Sequence, residues 1–227
     1  MRSWAQNAPT LLVQAVVLGV LVLAACAMPC AADDSAEDMD AYLTPKNIAR
    51  LEKGDVIVFK KSGKDERGKA SGEGRVMALV NRPFDIVWEH LCRFEDHPQF
   101  MPRLVDIEMY PVDEHTRGMK ETVSLPFMKV CYHVLQTPDK EAGTVAWRLD
   151  RTKENDINDT SGCWMLKPHG DDQCIVMYSG VADSGLFIPK VLENYLMKFN
   201  LPDIVKALKK RAESDGAYTK RGWKPRQ

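Results

Sequence analysis

The chain has 227 residues, with 31 lysines and arginines against 32 aspartates and glutamates, a formal net charge of −1, and 44% hydrophobic residues. So even a charge balance excludes nucleic-acid binding through bulk charge, and the apolar fraction suits a globular core. Once a leader is set aside, the remainder is long enough for one domain and short for two.

Met1-Arg2-Ser3-Trp4 runs into the apolar stretch Leu11 to Ala25, which is short for a bilayer span and has a single leading positive charge. Residues 1–32 therefore read as a secretory signal peptide rather than an uncleaved anchor, and the protein is expected to be exported to a bacterial periplasm or its membranes. Two cleavage patterns compete. Leu23-Ala24-Ala25-Cys26 resembles a lipobox, which would place a lipid on Cys26, whereas Cys30-Ala31-Ala32 ahead of Asp33 suits an ordinary site and a soluble product.

Residues 33–54 read as a linker that begins acidic and ends in a short amphipathic turn with Ile48 and Leu51 as its apolar contacts. The domain proper spans 55–214. It opens with the β-branched run Asp55 to Phe59, a charged stretch from Lys60 to Gly74 that suits a hairpin loop or mobile tip, and a strand from Arg75 to Val80. Pro83 fits a first helical position, and Phe84, Val87, Trp88 and Leu91 repeat along one face of a helix ending near Phe94. Pro98 and Pro102 leave room for one short helical turn. Strands are then predicted at 104–110, 118–125, 128–136, 144–152, 163–167 and 174–181, with turns at Pro138-Asp139 and His169-Gly170-Asp171-Asp172, which favours an antiparallel meander.

A last helix from about Pro189 to Ser214 carries Leu192, Tyr195 and Phe199, then Leu201, Val205, Leu208 and Ala212, at helical spacing. Pro202 should bend or break it. Residues 215–227 form a basic tail whose charges, together with Lys206, Lys209, Lys210 and Arg211, read as a solvated face, with docking on anionic lipid head groups as the sharper alternative.

Chemistry-bearing motifs are sparse. The chain has no G-x-S-x-G, P-loop, dinucleotide fingerprint, H-E-x-x-H or C-x-x-C, so no catalytic residue, metal site or cofactor is indicated. Cys92, Cys131, Cys163 and Cys174 could pair in an exported protein, yet Cys163 and Cys174 flank their turn asymmetrically, and buried thiols are expected. His133 shares a strand face with Lys129 and Cys131, opposite Met128, Val130, Tyr132 and Val134; which side is interior is open.

Alternation is more telling at 144–152, where Val145, Trp147, Leu149 and Arg151 share one face. Trp147 and Leu149 are expected to point inward, and Arg151 either caps a ligand's polar end or reaches solvent. Trp164 with Leu166, and Val176 with Tyr178, pair by parity as further wall candidates, alongside Leu192, Tyr195 and Phe199 of the last helix.

Several segments resemble the START-like, or SRPBCC, superfamily, and within it the polyketide cyclase/dehydrase and coenzyme-Q-binding branch. They are Asn81-Arg82-Pro83-Phe84-Asp85-Ile86-Val87-Trp88, His97-Pro98-Gln99-Phe100-Met101-Pro102-Arg103, Gly162-Cys163-Trp164-Met165-Leu166, and Leu201-Pro202 with Leu208, and the resemblance covers about Gly72 to Ser214. It implies an α+β helix-grip fold: a curved antiparallel sheet wrapped around a long C-terminal helix, with two short helices after the first strand. It also implies an interior that holds a hydrophobic small molecule, lipid, sterol-like or quinone-like, without catalysis. His133 and Arg151 would then be polar caps. The alternatives are a cyclase/dehydrase-type enzyme using Arg148, Arg151 or His133, and an envelope scaffold with a vestigial pocket. Ser184 to Pro189, which joins the last strand to the last helix, is the expected moving part for ligand entry.

Overall fold

The structure is a computed structural model that describes residues 39–64, 70–125, 128–183 and 201–225. Eight strands form one antiparallel sheet: β1 (Ile57–Lys64), β2 (Ala70–Val80), β3 (Leu104–Tyr110), β4 (Arg117–Leu125), β5 (Met128–Asp139), β6 (Thr144–Leu149), β7 (Asp159–Pro168) and β8 (Cys174–Asp183). Their spatial order is β1-β2-β8-β7-β6-β5-β4-β3, so β3 to β8 are a meander whose last strand returns to pair with β2. Helix α1 (Pro45–Glu52) precedes the sheet, α2 (Phe84–Cys92) and α3 (His97–Phe100) follow β2, and α4 (Leu201–Glu213) comes last.

Strand parity divides the sheet into two buried layers. Val76, Ala78, Val80, Met119, Val134, Val145, Trp164, Leu166, Cys174 and Val176 form the inner layer, packed with Val87, Trp88 and Leu91 of α2 and Val205, Ala207, Leu208 and Ala212 of α4. Together these side chains make the main core. Proline 83 stands one residue earlier than predicted, as the N-cap of α2, where its missing N–H costs nothing.

The outer layer corrects the sequence reading. Residues 39–52 are no linker: Met39 and Leu51 are buried, and with Tyr42 and Leu43 they cover Ile57, Met77, Leu79, Ala146, Cys163, Met165, Ile175 and Met177 on the far face of the sheet. Thr44 caps α1 by accepting from the Asn47 amide, and Pro45 starts it, so the segment carries its own stop and start signals. Arg75 lies 5.3 Å from the Tyr42 ring and donates to its hydroxyl at 3.3 Å.

Several boundaries differ from expectation, β7 for one beginning at Asp159 instead of 163. The β1–β2 hairpin runs well into the stretch read as a loop, with pairing from Ile57↔Met77 out to Lys64↔Ala70. Strand β5 passes through Pro138, which lies opposite Val145, and turns only after Asp139. Strand β6 stops at Leu149 because Asp150 turns away to accept from the Tyr110 hydroxyl at 2.8 Å and from Thr152 N and Oγ1. The chain beyond lies along β5 in place of β6, with Asp150 N and Asp156 N donating to the His133 and Cys131 carbonyls at 2.8 and 2.9 Å.

The C-terminal tail is docked rather than free. Lys220 N donates to the Gln99 carbonyl at 2.8 Å, and its ammonium reaches the carbonyls of Met101 and Leu104, straddling Arg103 with its φ of 62°. Arg211 ties the same region to α4 through the Tyr218 carbonyl (2.8 Å) and Gln99 Oε1 (2.9 Å). Cys163 belongs to the outer layer and Cys174 to the inner one, so the sheet separates them. Among the described residues no helix is long and apolar enough to cross a membrane.

Candidate functional site

The centre of the inner face is shaped by a row of glycines. Gly74, Gly180 and Gly162 stand opposite one another across β2, β8 and β7, and the next residue in that row is Trp147 of β6. Without β-carbons the row leaves a groove in the sheet, and the Trp147 indole lies in it. A β-carbon added at Gly162 would sit 2.2 Å from Trp147 Cζ2. The Tyr178 ring stacks on the indole at 5.1 Å and meets the Trp164 ring edge-on at 4.8 Å, so three aromatics from β6, β7 and β8 lock one another.

Polar groups enter the same face from β4 and β5. Glu121 and Tyr132 are cross-strand partners, and the Tyr132 hydroxyl donates to Glu121 Oε2 at 2.9 Å. Burial raises the Glu121 carboxyl above its ordinary range, against the opposing pull of that hydrogen bond. Burial first, and the Glu121 charge second, also raise the Tyr132 and Tyr178 phenols. Gln136, two residues beyond Val134 on the same face, is 7% exposed; its Nε2 donates to Met119 Sδ at 3.5 Å and its Oε1 has no partner. Glu121, Tyr132, Trp147 and Tyr178 each keep part of their surface accessible although they lie deep in the protein. All four lie on the inner side of the sheet, which α2 and α4 cover.

The sequence-derived candidates are placed as follows. Trp147, Trp164 and Tyr178 meet in the aromatic cluster, and Leu166 and Val176 lie in the buried layer beneath it. Leu149 is buried opposite Val134. Leu192, Tyr195, Phe199, the Ser184 to Pro189 joint and Cys26 lie outside the described residues.

His133 and Arg151 lie away from this cluster. His133 faces the outer side, where its Nδ1 is 3.0 Å from the Glu154 carbonyl oxygen and its ring lies 5.8 Å from that of Tyr110. Arg151 falls after the end of β6, so strand parity no longer aims it inward; it is exposed and paired with Asp159 at 2.8 Å. Glu121 and Gln136 were missed. The signal was available in Met119-Lys120-Glu121-Thr122-Val123, where alternation puts the glutamate between two apolar residues on one face.

A separate cleft of about 390 Å³ opens between Met39, Phe84 and the turn at 140–144. Its lysines are neutralised, Lys140 by Asp85 at 2.8 Å and Lys167 by Asp40, and it does not adjoin the aromatic cluster. Among the described residues no group of three or more His, Cys, Asp or Glu is placed to hold a metal ion.

The architecture is the START helix-grip fold: a large antiparallel sheet closed by a C-terminal helix, with two short helices between the second and third strands. Similar solved structures include a STAR-related lipid transfer protein from Xanthomonas axonopodis, 19% identical over 69% of this chain and 93% of that one, with a TM-score of 0.57. Human StAR-related lipid transfer protein 5 matches at 10% identity over 80% and 98%, with a TM-score of 0.58. The ZhuI aromatase/cyclase from Streptomyces matches at 14% over 70% and 94%, with a TM-score of 0.53. No sequence-family model matches the chain. No curated protein matches it either.

Proposed function

We propose that the protein binds or shuttles a hydrophobic small molecule, of lipid, sterol-like or quinone-like character, without chemically changing it. The observation that carries this reading is the deep, partly accessible surface around Trp147, Tyr178, Tyr132 and Glu121. Apolar area withdrawn from water there would supply about 25 cal/mol per Å² to binding. Lipid transfer proteins and an aromatase/cyclase share the fold, so the scaffold alone does not choose between carriage and catalysis. The absence of catalytic motifs, together with a leader read as an export signal, favours carriage in the cell envelope.

Native mass spectrometry of protein purified from its own membranes tests the reading. A co-purifying apolar molecule is the expected result, whereas an empty protein or one carrying a small polar metabolite would count against it. Intact mass of the mature protein tests export: a start at Cys26 or Asp33 is expected, and retention of residues 1–25 would remove that part of the proposal.

A further inference from the structure

The polar groups around the aromatic cluster are an uneven set. Glu121 uses Oε2 to accept from Tyr132, and its Oε1 has no hydrogen-bond partner among the described residues. The Tyr178 hydroxyl has none either; it lies against the bare backbone of Gly180, where a β-carbon would be 3.2 Å from it. Gln136 adds a buried, unpartnered acceptor beside Trp147, its cross-strand neighbour. One hydroxyl donor and several open acceptors therefore face an apolar interior; strand register puts Lys60 at the β1 end of the glycine row, while Arg117, opposite Gln136, is exposed and donates to the Glu114 carbonyl.

Buried acceptors and donors left unpaired are costly, so this arrangement calls for a ligand group that both gives and takes a hydrogen bond. A ketone or ether only accepts and would leave Glu121 unanswered. A carboxylate or phosphate would bring a like charge against Glu121 in a region of low dielectric. An alcohol or phenol satisfies both partners and carries no charge. We propose that the interior site is built for a neutral apolar molecule ending in a hydroxyl group, which donates to Glu121 Oε1 and accepts from the Tyr178 hydroxyl. This deepens the carrier reading and rests on it.

The test is competition at pH 8 against the neutral dye 1-aminoanthracene, with probes sharing one chain and differing at the head: hexadecan-1-ol, its methyl ether, palmitate and hexadecylamine, each delivered from cyclodextrin. The alcohol should bind at least about tenfold more tightly than the ether and palmitate, the scale set by leaving a buried polar group unpaired. Glu121→Gln, with a thermal midpoint confirming that it folds, should reduce the alcohol-to-ether ratio, because only the alcohol donates to Glu121, whereas Tyr178→Phe should weaken alcohol and ether alike, because both accept from its hydroxyl. Equal affinity for alcohol and ether, a ratio unchanged in Glu121→Gln, or binding of both unchanged in Tyr178→Phe, would overturn the hydroxyl assignment alone. Tighter binding of hexadecylamine than of the alcohol would overturn the neutral-ligand part. If neither the dye nor any probe binds, the carrier reading itself falls, and this inference with it.

Discussion

Gly162→Ala should be among the most damaging single-methyl additions in the protein. The new β-carbon would lie 2.2 Å from Trp147 Cζ2, 2.5 Å from Cη2, and 2.3 Å from the main-chain oxygen of Ser179. The indole can move toward the interior. The Ser179 carbonyl cannot follow easily, because β8 is paired on both sides, with β2 and β7. Overpacking of a tight site costs about 1–3 kcal/mol, and two simultaneous contacts place this one near the top of that range. Reduced freedom of the unfolded chain returns about 0.5 kcal/mol, which leaves a net loss of about 2 kcal/mol. In a domain of this size that corresponds to a fall of about 4–8 °C in Tm.

Urea denaturation, with the slope checked for constancy, measures the loss, and repeating the substitution in a Trp147→Ala background divides it. Removing the indole should relieve about half the cost, since one contact goes and the carbonyl contact stays. A loss below about 0.5 kcal/mol in the wild-type background would refute the reasoning, that being the scatter of ordinary surface changes. Complete relief by Trp147→Ala would show instead that the β8 backbone yields, and that the groove is formed by the indole alone.

Leu51→Ala should cost about 2–4 kcal/mol by denaturant midpoint, because Leu51 is 1% exposed and fixes α1 to the outer layer; an unchanged midpoint would restore the linker reading. His97 is buried with Nε2 donating to the Leu91 carbonyl at 2.8 Å, and burial lowers its pKa to about 4. Its contribution is therefore complete above about pH 6.5, where the unfolded residue is also neutral, and is lost as the pH falls from 6.5 to 4, by about 3 kcal/mol in all. His97→Gln should flatten that part of the stability profile, and an equally steep fall in the variant would assign it to other groups. Lys220→Met should cost about 2 kcal/mol by leaving the Met101 and Leu104 carbonyls without their charged donor, and a neutral effect in thermal melts would mean that the tail is not held there.

Much of the interior was legible because alternation needs only the register of one strand. Val145, Trp147 and Leu149 could be placed together from their spacing, and they do lie on one face. Arg151 shows where that logic ends. Parity holds only while a strand lasts, and the fate of Asp150 depends on Tyr110, forty residues away in the chain. Glu121 escaped for a different reason. A glutamate between Lys120 and Thr122 looks solvated, although Met119 and Val123 share its face, and its pairing with Tyr132 across β4 and β5 shows that it faces inward.

The N-terminal segment was misread although the information needed was present elsewhere in the chain. Val76 to Val80 in β2, Cys163 to Leu166 in β7 and Cys174 to Tyr178 in β8 are unbroken apolar runs rather than alternating ones. A strand with one wet face alternates; a strand apolar at every position has both faces covered. The helices of the core can cover only one side, so Met77, Met165, Ile175 and Met177 require a second cover. Met39, Tyr42, Leu43 and Leu51 supply it. The acidic start of the segment drew attention away from these four residues. The covering arm also places Asp40 beside Lys167 and Tyr42 beside Arg75, so contacts along β7 and β2 orient it. What looked like a tether between a leader and a domain is thus a third layer, and the strands that line the aromatic site are held from both sides.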